Sequence, residues 1–399
     1  MKIAYDGKRA VRNLTGLGNY SRLIIETMSA AMPGDDHIVY VPDMRPNPRL
    51  ETLLERDNVV FCQPARYWSW PKAAWRSWGV TMQAERDNVD VYHGLSNELP
   101  FNIHLSPVAS VVTIHDVIYR RMPECYKPAD RYLYDLKYGW SVRHADRVIA
   151  ISEATKRDVM ELYGVPEKKI TVIRQGCDPN FSKTATLEQR RRLRQLYKLP
   201  ARYLIQVGTI EKRKNLELTL RALSGLPDDI HLVAVGSGGK YMKEMVALAI
   251  ELGVRSRFHI LQQVPFTDLP ALYQMALASV YPSRYEGFGI PVLESLAGGT
   301  PTIISNSSAL PEAGGDAAFQ IGVDDVRGLA DTVRAIVNGG GESAEARDES
   351  VEVRARGGDN LESRRERGKR HAATFAADDI SHRIQTVYEA AIKAHSRKK

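Results

Sequence analysis

Residues 278–295 read ASVYPSRYEGFGIPVLES, and this stretch carries the most informative pattern in the chain. The apolar run Ala278–Pro282 predicts a buried strand, and Pro291 is typical of a first helical turn, where its missing N–H costs nothing. Between them, Gly287 and Gly289 allow the backbone to come close to a ligand. The stretch therefore predicts a strand, a loop and a helix N-terminus, whose unpaired N–H groups favour an anion.

On both sides of this stretch, short apolar runs alternate with helical patterns. That alternation is typical of parallel sheets that helices cover on both faces. The polar, Arg-rich residues 181–200 separate two such series, so the sequence predicts an α/β fold of two doubly wound, Rossmann-like domains facing a central cleft. The predicted strands are 2–6, 37–42, 58–62, 90–93, 109–115, 147–152 and 170–174 in the first series, and 203–208, 231–236, 257–261, 278–282 and 300–305 in the second.

The chain length of 399 residues fits two domains of roughly 100–200 residues each. We expect a first domain over 1–180, a linker region over 181–200 and a second domain over 201–375. Residues 338–360 are rich in Gly, Glu, Asp, Arg and Ser, and they predict a flexible excursion of the second domain. Residues 376–399 have helical periodicity and predict a final helix.

The chain has 55 basic and 48 acidic residues, a net charge of +7, which favours an anionic partner such as nucleic acid, a membrane surface or a phosphorylated substrate. No nucleic-acid-binding module is recognisable, so nucleic acid is not expected. The three cysteines form neither a metal-ligand pair nor a disulfide framework, and the sequence has no apolar signal core or membrane-spanning run. We therefore expect a cytoplasmic protein, either soluble or peripheral at the inner face of the membrane.

Two carboxylates, Glu286 and Glu294, are separated by seven residues across the predicted loop and helix start. Carboxylates accept hydrogen bonds from sugar hydroxyls, and the amides beside them suit a phosphate. An acid such as Glu294 in a first helical turn is also stabilised by the helix dipole alone. The whole string favours a ligand site over that simpler interpretation.

A second motif, GTIEKRKN at 208–215, directly follows a predicted strand. In an open α/β sheet, ligands bind at the carboxyl ends of the strands. Arg213 would hold an oxyanion by bidentate contact and Lys214 as a point charge, so the pair suits the charge that a diphosphate leaving group gains. The alternative is a solvated basic turn.

Two loops of the first domain carry weaker signals. The loop NLTGLGNY, residues 13–20, places Gly16 and Gly18 after the first predicted strand, as half of a dinucleotide-binding pattern does, although a plain strand–helix turn has the same form. No acidic residue follows at the spacing that holds a ribose, which argues against an NAD-dependent dehydrogenase. His115 ends an apolar strand, where an isolated histidine is more often structural than functional.

The Glu286-x7-Glu294 pattern inside YEGFGIPVLE, preceded by GTIEKRKN, resembles the motifs of the family-4 retaining glycosyltransferases of the GT-B fold, also described as glycosyl transferases group 1. The resemblance covers about 1–335 and 361–393, and Lys212 stands where that family often has proline. It implies that the second domain binds a nucleoside diphosphate sugar, GDP- or UDP-linked. It also implies that the first domain binds a saccharide or polyprenyl-linked acceptor and that the last helix packs back on this domain.

The same resemblance implies roles for single residues. Glu286 would meet the hydroxyls of the donor sugar, Glu294 would meet the ribose, and His115 would orient groups at the reacting sugar. The residues so implicated are His115, Glu286, Arg213 and Lys214 as catalytic residues, His93 and Asn97 as acceptor contacts, and Gly16, Gly18, Gly208, Arg213, Lys214, Val264, Glu286, Gly287, Phe288, Gly289, Ile290 and Glu294 as donor contacts.

Residues 65–79, ARYWSWPKAAWRSWG, contain four of the five tryptophans with basic residues among them. Tryptophan favours membrane interfaces and basic residues favour anionic headgroups, so the segment fits a membrane contact. Trp68 and Trp70 would equally suit an aromatic platform for the acceptor. The alternative is an ordinary helix whose tryptophans pack into the core.

The resemblance thus implies a retaining hexosyltransferase, and we expect it to require neither a metal ion nor another cofactor. We expect it to move mannose or a similar hexose, with GDP-mannose as one candidate donor, in the synthesis of cell-surface polysaccharide, lipopolysaccharide or glycolipid. Two other hypotheses stay open: a GT-B nucleotide-sugar epimerase, and a non-catalytic partner that binds a sugar nucleotide or a membrane. Epimer formation from the donor alone would favour the first, and a lack of transfer and of donor hydrolysis would favour the second.

Overall fold

A computed structural model describes residues 1–13, 16–64, 71–339, 360–375 and 377–398. The chain divides into two compact units. The first unit comprises Met1–Gln175 and Ala376–Lys399, and the second comprises Gly176–Phe375.

The first unit contains a sheet of seven parallel strands. These are β1 (Lys2–Asp6), β2 (Asp36–Tyr40), β3 (Val59–Cys62), β4 (Val91–Gly94), β5 (Ala109–Ile114), β6 (Arg147–Ala150) and β7 (Ile170–Val172). Their order is β3-β2-β1-β4-β5-β6-β7, so the direction of chain progression reverses between β1 and β4. The strands are apolar and largely buried, as a parallel sheet covered by helices requires.

The helices of the first unit include the last one of the chain. They are α1 (Lys8–Arg12), α2 (Gly16–Ala31), α3 (Glu51–Leu54), α4 (Lys72–Ala74), α5 (Val80–Arg86), α6 (Ile118–Arg121), α7 (Pro128–His144), α8 (Glu153–Tyr163) and α17 (Ala377–Ser396). Helix α17 packs against β5 and α2. Its Tyr388 is fully buried with its hydroxyl 2.8 Å from His93 Nδ1, and Asp146 accepts hydrogen bonds from Lys398 and His395 at 2.6 and 3.1 Å.

The second unit repeats this plan with six parallel strands. These are β8 (Arg202–Val207), β9 (Ile230–Val235), β10 (Phe258–Leu261), β11 (Ala278–Tyr281), β12 (Thr302–Ser305) and β13 (Phe319–Ile321). The order β10-β9-β8-β11-β12-β13 reverses between β8 and β11. The helices are α9 (Leu187–Leu196), α10 (Leu216–Leu223), α11 (Lys240–Glu251), α12 (Leu269–Met275), α13 (Ile290–Ala297), α14 (Leu310–Gly314), α15 (Val326–Val337) and α16 (Leu361–Ala373).

The segment predicted as a linker, 181–200, contains a helix that packs inside the second unit. Helix α9 lies against α12, and a capping box at Thr186 and Gln189 fixes its start. Beside this contact, Asp268 accepts hydrogen bonds from Arg192 at 2.9 Å and from the Tyr197 hydroxyl at 2.7 Å. A polar, Arg-rich sequence therefore forms an ordered part of this unit, because Leu193 is buried and Arg192 has an acidic partner beside the helix contact.

The predicted fold class is confirmed, and every predicted strand is present within a few residues of its expected bounds. The sequence missed β13, because Phe319–Ile321 is three residues long and only its last residue is buried. Nearly all of the predicted excursion at 338–360 lies outside the described residues. In the described part of the chain, no helix is both long and apolar enough to cross a bilayer.

Replacement of Tyr388 by phenylalanine should destabilise the first unit. Tyr388→Phe removes the hydroxyl that contacts the buried His93 ring and leaves Nδ1 without this partner, at a cost of about 1–3 kcal/mol. We expect a lower midpoint of thermal unfolding, measured by calorimetry. Tyr132→Phe is the matched control, since Tyr132 is 75% exposed; an equal effect of both changes would contradict this account of α17.

Candidate functional site

The strongest candidate site lies at the carboxyl ends of β8 and β11, where the second sheet reverses its strand order. Adjacent strands at such a point send their loops apart, which leaves a crevice for a ligand. The loop after β8 carries Arg213 and Lys214, and the loop after β11 carries Glu286. The topology therefore brings together two motifs that lie about 70 residues apart in the sequence.

Arg213, Lys214 and Glu286 form a buried ion triad. One Glu286 oxygen lies 2.6 Å from an Arg213 guanidinium nitrogen, and the other lies 2.7 Å from Lys214 Nζ. Glu286 is 8% exposed. Burial raises the pKa of this carboxyl, but Lys214 and Arg213 outweigh burial and lower the pKa to about 2. Glu286 is therefore an anion held between two cations.

Neighbouring groups fix the two cations in place. Arg213 donates to the Tyr285 carbonyl at 2.7 Å and to Glu211 at 2.6 Å. Lys214 Nζ donates to the Tyr281 hydroxyl and lies 4.5 Å from the centre of that ring. Burial lowers the pKa of Lys214, whereas Glu286 opposes that shift. Both cations are thus held by contacts that leave little freedom to swing into water.

Asn215 joins the two loops of the site. It adopts a left-handed conformation, with φ 55°, at the start of α10. Its amide donates to the carbonyls of Pro282 at 3.1 Å and Val323 at 2.8 Å. The backbone N–H of Arg284 also donates to the Arg213 carbonyl at 2.8 Å. The position of Arg213 relative to Glu286 is therefore set by the backbone as well as by side chains.

Helix α13 begins at this site without a side-chain cap. Gly289 precedes the helix at φ 133°, a conformation that L side chains rarely adopt. Phe288 is 3% exposed with its ring 5.7 Å from that of Phe375, so only its backbone is available to a donor. The Glu286 N–H donates to Ser308 Oγ at 2.8 Å, and Ile290 is half-buried in the first turn. The helix start thus offers backbone donors to an anion.

Glu294 lies one turn into α13, where its hydrogen-bond partner is a neutral hydroxyl. It is buried, and the Tyr273 hydroxyl donates to its Oε2 at 3.3 Å. Burial raises the pKa of Glu294 to about 7, since the Tyr273 bond offsets only part of the desolvation. The two carboxylates of the motif therefore differ: Glu286 is charged at neutral pH, and Glu294 is close to half-protonated.

Two further residues, Gly208 and Val264, were expected to contact the donor, and only Gly208 lies beside the triad. Gly208 has φ 138°, and a Cβ there would meet the Lys214 side chain at 3.5 Å, so the glycine borders the triad. Val264 is half-buried in the loop that follows β10. The structure does not place Val264 in the triad.

In the first unit, His115 is a buried, neutral histidine. Its Nε2 lies 2.8 Å from the Leu95 carbonyl, which can only accept, so Nε2 carries the proton and Nδ1 presents a lone pair. Burial lowers its pKa to about 4. Asn97, at φ 66°, accepts from the His115 N–H at 2.7 Å, and Thr155 donates to the His115 carbonyl at 3.3 Å. Asn97 therefore positions the His115 backbone.

The expectation that His93 contacts the acceptor is wrong for its side chain. His93 has no exposed surface, and its ring nitrogens lie 2.8 Å from Thr113 Oγ1 and from the Tyr388 hydroxyl. Burial lowers its pKa to about 3. His93 is a core residue that links the sheet to α17.

Gly18 has a structural role inside its own loop. A Cβ at this position would lie 1.8 Å from the Asn13 carbonyl oxygen, so only glycine allows α2 to pass this backbone. Gly16 has open space around its Cβ position at the start of α2. Of the two glycines, Gly16 is the one whose surroundings leave room for a ligand.

The segment at 65–79 is only partly a candidate contact surface. Trp68 and Trp70 lie outside the described residues. Trp75 is 2% exposed and donates to Gln83 at 3.3 Å, so it belongs to the core. Arg76 binds Asp6 and Glu98, each at 2.8 Å, and is not available to headgroups. The expectation of a membrane contact is therefore wrong for Trp75 and Arg76.

Sequence reasoning missed Tyr281, Tyr273 and Asn215. Tyr281 and Tyr273 lie in apolar stretches and are typical core residues by pattern, and Asn215 ends the quoted basic motif. Their polar atoms gain partners only when separate loops meet. Among the residues that the structure describes, no group of three or more His, Cys, Asp or Glu is placed to hold a metal ion.

Comparison with known proteins gives two matching family models. Residues 15–181 match the model of Glycosyltransferase Family 4, and residues 190–352 match that of Glycosyl transferases group 1. O-antigen chain mannosyltransferase B of Escherichia coli is 28% identical and covers 83% of this chain and 89% of its own. O-antigen chain mannosyltransferase RfbU of Salmonella typhimurium is 25% identical, over 56% of this chain and 60% of its own.

Solved structures of glycosyltransferases match nearly the full length of the chain. A glycosyltransferase from Rickettsia africae has a TM-score of 0.74 at 16% identity, covering 98% of both chains. HepE of Anabaena, in complex with UDP-glucose, has a TM-score of 0.73 at 17% identity, covering 98% of this chain and all of its own. These likenesses confirm the predicted GT-B fold.

Removal of the Glu286 charge should tighten anion binding. In Glu286→Gln, the two cations lose their internal anion, so we expect inorganic pyrophosphate to bind about tenfold more tightly in calorimetry. Glu211→Gln is the control, because Glu211 also pairs with Arg213 but its side chain is 43% exposed and screened. Weaker pyrophosphate binding by Glu286→Gln would contradict the triad.

Glu294 should make the stability of the protein pH-dependent. The folded pKa of about 7 exceeds the ordinary glutamate value of 4.5, so the folded chain holds the proton more tightly and stability falls as pH rises between these values. Relative to Glu294→Gln, the wild type should lose on the order of 3 kcal/mol from pH 4.5 to 8, measured by denaturant unfolding. The exposed Glu251→Gln should leave the wild-type profile unchanged, and parallel profiles for wild type and Glu294→Gln would contradict the raised pKa.

Proposed function

The chain belongs to the group 1 and family 4 glycosyltransferases, and we propose that it moves a mannosyl residue from GDP-mannose to a saccharide acceptor with retention of the anomeric configuration. It is a nucleotide-sugar glycosyltransferase of polysaccharide synthesis. The two relatives named as O-antigen chain mannosyltransferases support mannose as the sugar and a saccharide chain as the acceptor. A polyprenyl-linked form of that acceptor rests on the family resemblance alone.

The observation that carries the proposal is the pair of cations at the strand-order reversal. In the proposed reaction, Arg213 and Lys214 bind the donor diphosphate and stabilise the charge that it gains as the bond to the sugar breaks. Glu286, displaced from the cations, accepts hydrogen bonds from the hexose hydroxyls. Because Arg213 and Lys214 offset two negative charges of the diphosphate once Glu286 is displaced, we propose that transfer requires no metal ion.

The remaining donor contacts follow from the surroundings of α13. In the proposed complex, Glu294 accepts hydrogen bonds from the ribose hydroxyls of the sugar nucleotide. The backbone N–H groups at Gly287–Ile290 donate hydrogen bonds to the same molecule. Gly208 leaves room beside Lys214 for the diphosphate. The backbone of Val264 contacts the base of the sugar nucleotide. These assignments come from the family resemblance, and the buried carboxyl of Glu294 and the uncapped helix start support them.

In the first unit, His115 supplies neutral acceptors. Its Nδ1 lone pair and its carbonyl oxygen would accept hydrogen bonds from the hydroxyls of the reacting sugar and so orient them. The imidazole ring is uncharged at neutral pH, because its pKa is about 4. The acceptor oxygen bonds to the anomeric carbon on the face from which the diphosphate departs. The departing phosphate takes the acceptor proton, so no strong protein base is required.

Loss of the Lys214 ammonium should weaken donor binding without unfolding the chain. Lys214→Ala removes one charged contact to the diphosphate, so we expect GDP affinity to fall about 10–100-fold in calorimetry and transfer from GDP-mannose to fall with it. Lys212→Ala is the matched control, because Lys212 lies in the same turn but is exposed. Unchanged GDP affinity in Lys214→Ala would overturn the site.

A donor panel separates the proposal from its rivals. Wild-type protein with GDP- and UDP-linked hexoses, a saccharide acceptor and a chelator should give a mannoside with the donor's anomeric configuration, read by NMR. A preference for UDP-linked hexoses would overturn the proposed donor, and inversion would overturn the proposed stereochemistry. A requirement for metal would overturn the role given to the cations. Epimerisation, or no transfer at all, would overturn the proposed reaction.

A further inference from the structure

A buried network of hydrogen bonds crosses the first unit and connects the two ends of α2. It starts at Tyr20, near the beginning of the helix, and ends at the carbonyl of Met32, directly after the last helical residue. Between these ends it passes through β5, β4, α17, β1 and β2. We name it the α2 network. Its side chains are at most 2% exposed, and they belong to Tyr20, Thr113, His93, Tyr388, Tyr5 and His37.

The contacts of the α2 network form one unbroken series. The Tyr20 hydroxyl lies 3.1 Å from Thr113 Oγ1, which lies 2.8 Å from His93 Nε2. His93 Nδ1 lies 2.8 Å from the Tyr388 hydroxyl, and Tyr388 is hydrogen-bonded to Tyr5. Side chains from three strands and two helices are thus joined through the interior of the unit.

The last member of the α2 network decides where its protons lie. The Met32 carbonyl can only accept, so His37 Nε2, 3.4 Å away, carries the proton of that ring. Burial lowers the pKa of His37, and the neutral ring accepts at Nδ1 from the Tyr5 hydroxyl at 3.0 Å. Because Tyr5 donates its one proton to His37, it accepts from Tyr388. Tyr388 in turn accepts from His93 Nδ1.

The other half of the network follows in the same direction. His93 is neutral, because burial lowers its pKa to about 3, so its Nε2 accepts and the Thr113 hydroxyl donates. Thr113 Oγ1 therefore accepts from the Tyr20 hydroxyl. Loss of the Thr113 hydroxyl would leave a buried donor on one side and a buried acceptor on the other. The far end of the Tyr20 side chain is thus fixed by residues of the central strands.

The Tyr20 ring contacts the ring of His115. The two ring centres lie 4.5 Å apart and the ring planes meet at 88°, which is the edge-to-face arrangement that aromatic pairs favour. Hydrogen bonds to Asn97 and Leu95 hold the His115 backbone N–H and Nε2. The Tyr20 ring therefore restricts rotation of the imidazole, and with it the direction of the Nδ1 lone pair.

We propose that Tyr20 is a positioning residue for His115 and that the α2 network holds the Tyr20 ring against the imidazole. The Tyr20 ring cannot tilt without breaking its hydrogen bond to Thr113. The orientation of His115 then depends on α17 as well, through Tyr388. The inference rests on the proposed function, in which Nδ1 of His115 accepts from hydroxyls of the reacting sugar.

Histidine-selective NMR of the full chain reads the His115 ring directly, because nearby aromatic rings shift its proton resonances. The His115 signal is identified by its loss in His115→Gln. Thr113→Val removes the hydroxyl between Tyr20 and His93 and should move the His115 resonance, whereas Thr113→Ser keeps a hydroxyl and should leave it in place. Tyr20→Phe keeps the ring but frees it from Thr113, so it should move the resonance as Thr113→Val does.

Transfer kinetics test the consequence for the reaction. With GDP-mannose and a saccharide acceptor, Thr113→Val and Tyr20→Phe should lower kcat about tenfold and change the donor KM less than about twofold. This split is expected because a misplaced His115 affects the reacting sugar, whereas the donor diphosphate binds in the second unit. Thr113→Ser should keep the wild-type kcat. Pyrophosphate affinity, equal in all variants, would show that the second unit is intact.

Tyr40→Phe controls for the loss of a buried tyrosine hydroxyl. Tyr40 is 1% exposed and its hydroxyl donates to Asp87 at 2.6 Å, outside the α2 network. This change should lower the midpoint of thermal unfolding but leave kcat and the His115 resonance at their wild-type values. An equal loss of kcat in Tyr40→Phe would overturn the proposal. So would an unmoved His115 resonance in Thr113→Val and Tyr20→Phe.

The two measurements separate this proposal from the proposed function. If the His115 resonance moves as expected but the wild type transfers no sugar, the role of Tyr20 is supported and the proposed reaction falls. If the wild type is active and the resonance moves while kcat stays unchanged, the positioning role is overturned and the proposed reaction stands.

Discussion

The buried contact of Glu286 with Arg213 and Lys214 is the interaction on which the site of the second unit depends. Each of these charges would be costly to bury alone, and removal of one partner leaves the others without compensation. The contact therefore holds the loop after β8 against the loop after β11. It also means that a donor phosphate meets cations that already have an anion, so donor binding in the proposed reaction is an exchange of one anion for another.

Strand order explains why this exchange takes place where it does. In both sheets the strand order reverses beside the first strand of the unit. The loops that follow the two strands at this point run in opposite directions, which leaves a crevice between them. In the second unit, these loops carry the charged motifs and the uncapped start of α13. In the first unit, several residues that resemble ligand contacts instead serve its own packing: His93 bonds to α17, and Gly18 lets α2 pass a carbonyl. Similar architecture thus supports different uses in the two units.

Much of this could be read from the sequence. The alternation of apolar runs with helical patterns predicted the α/β class and all but one strand, because each buried strand needs a continuous apolar run whatever its neighbours are. The E-x7-E and basic motifs identified Glu286, Glu294, Arg213 and Lys214, because their residue types match carbohydrate and phosphate chemistry. The family models then matched both halves of the chain.

What the sequence by itself determined was the type of each element and the chemical character of its motifs, since both depend on neighbours within a few residues. Only the tertiary structure decided which charges meet, which tryptophan is buried, and why Glu286 and Glu294 have pKa values on opposite sides of their ordinary range. The tertiary structure also decided the roles of Tyr281, Tyr273 and Asn215. Burial and pairing arise between residues that are distant in the chain, so no local pattern records them.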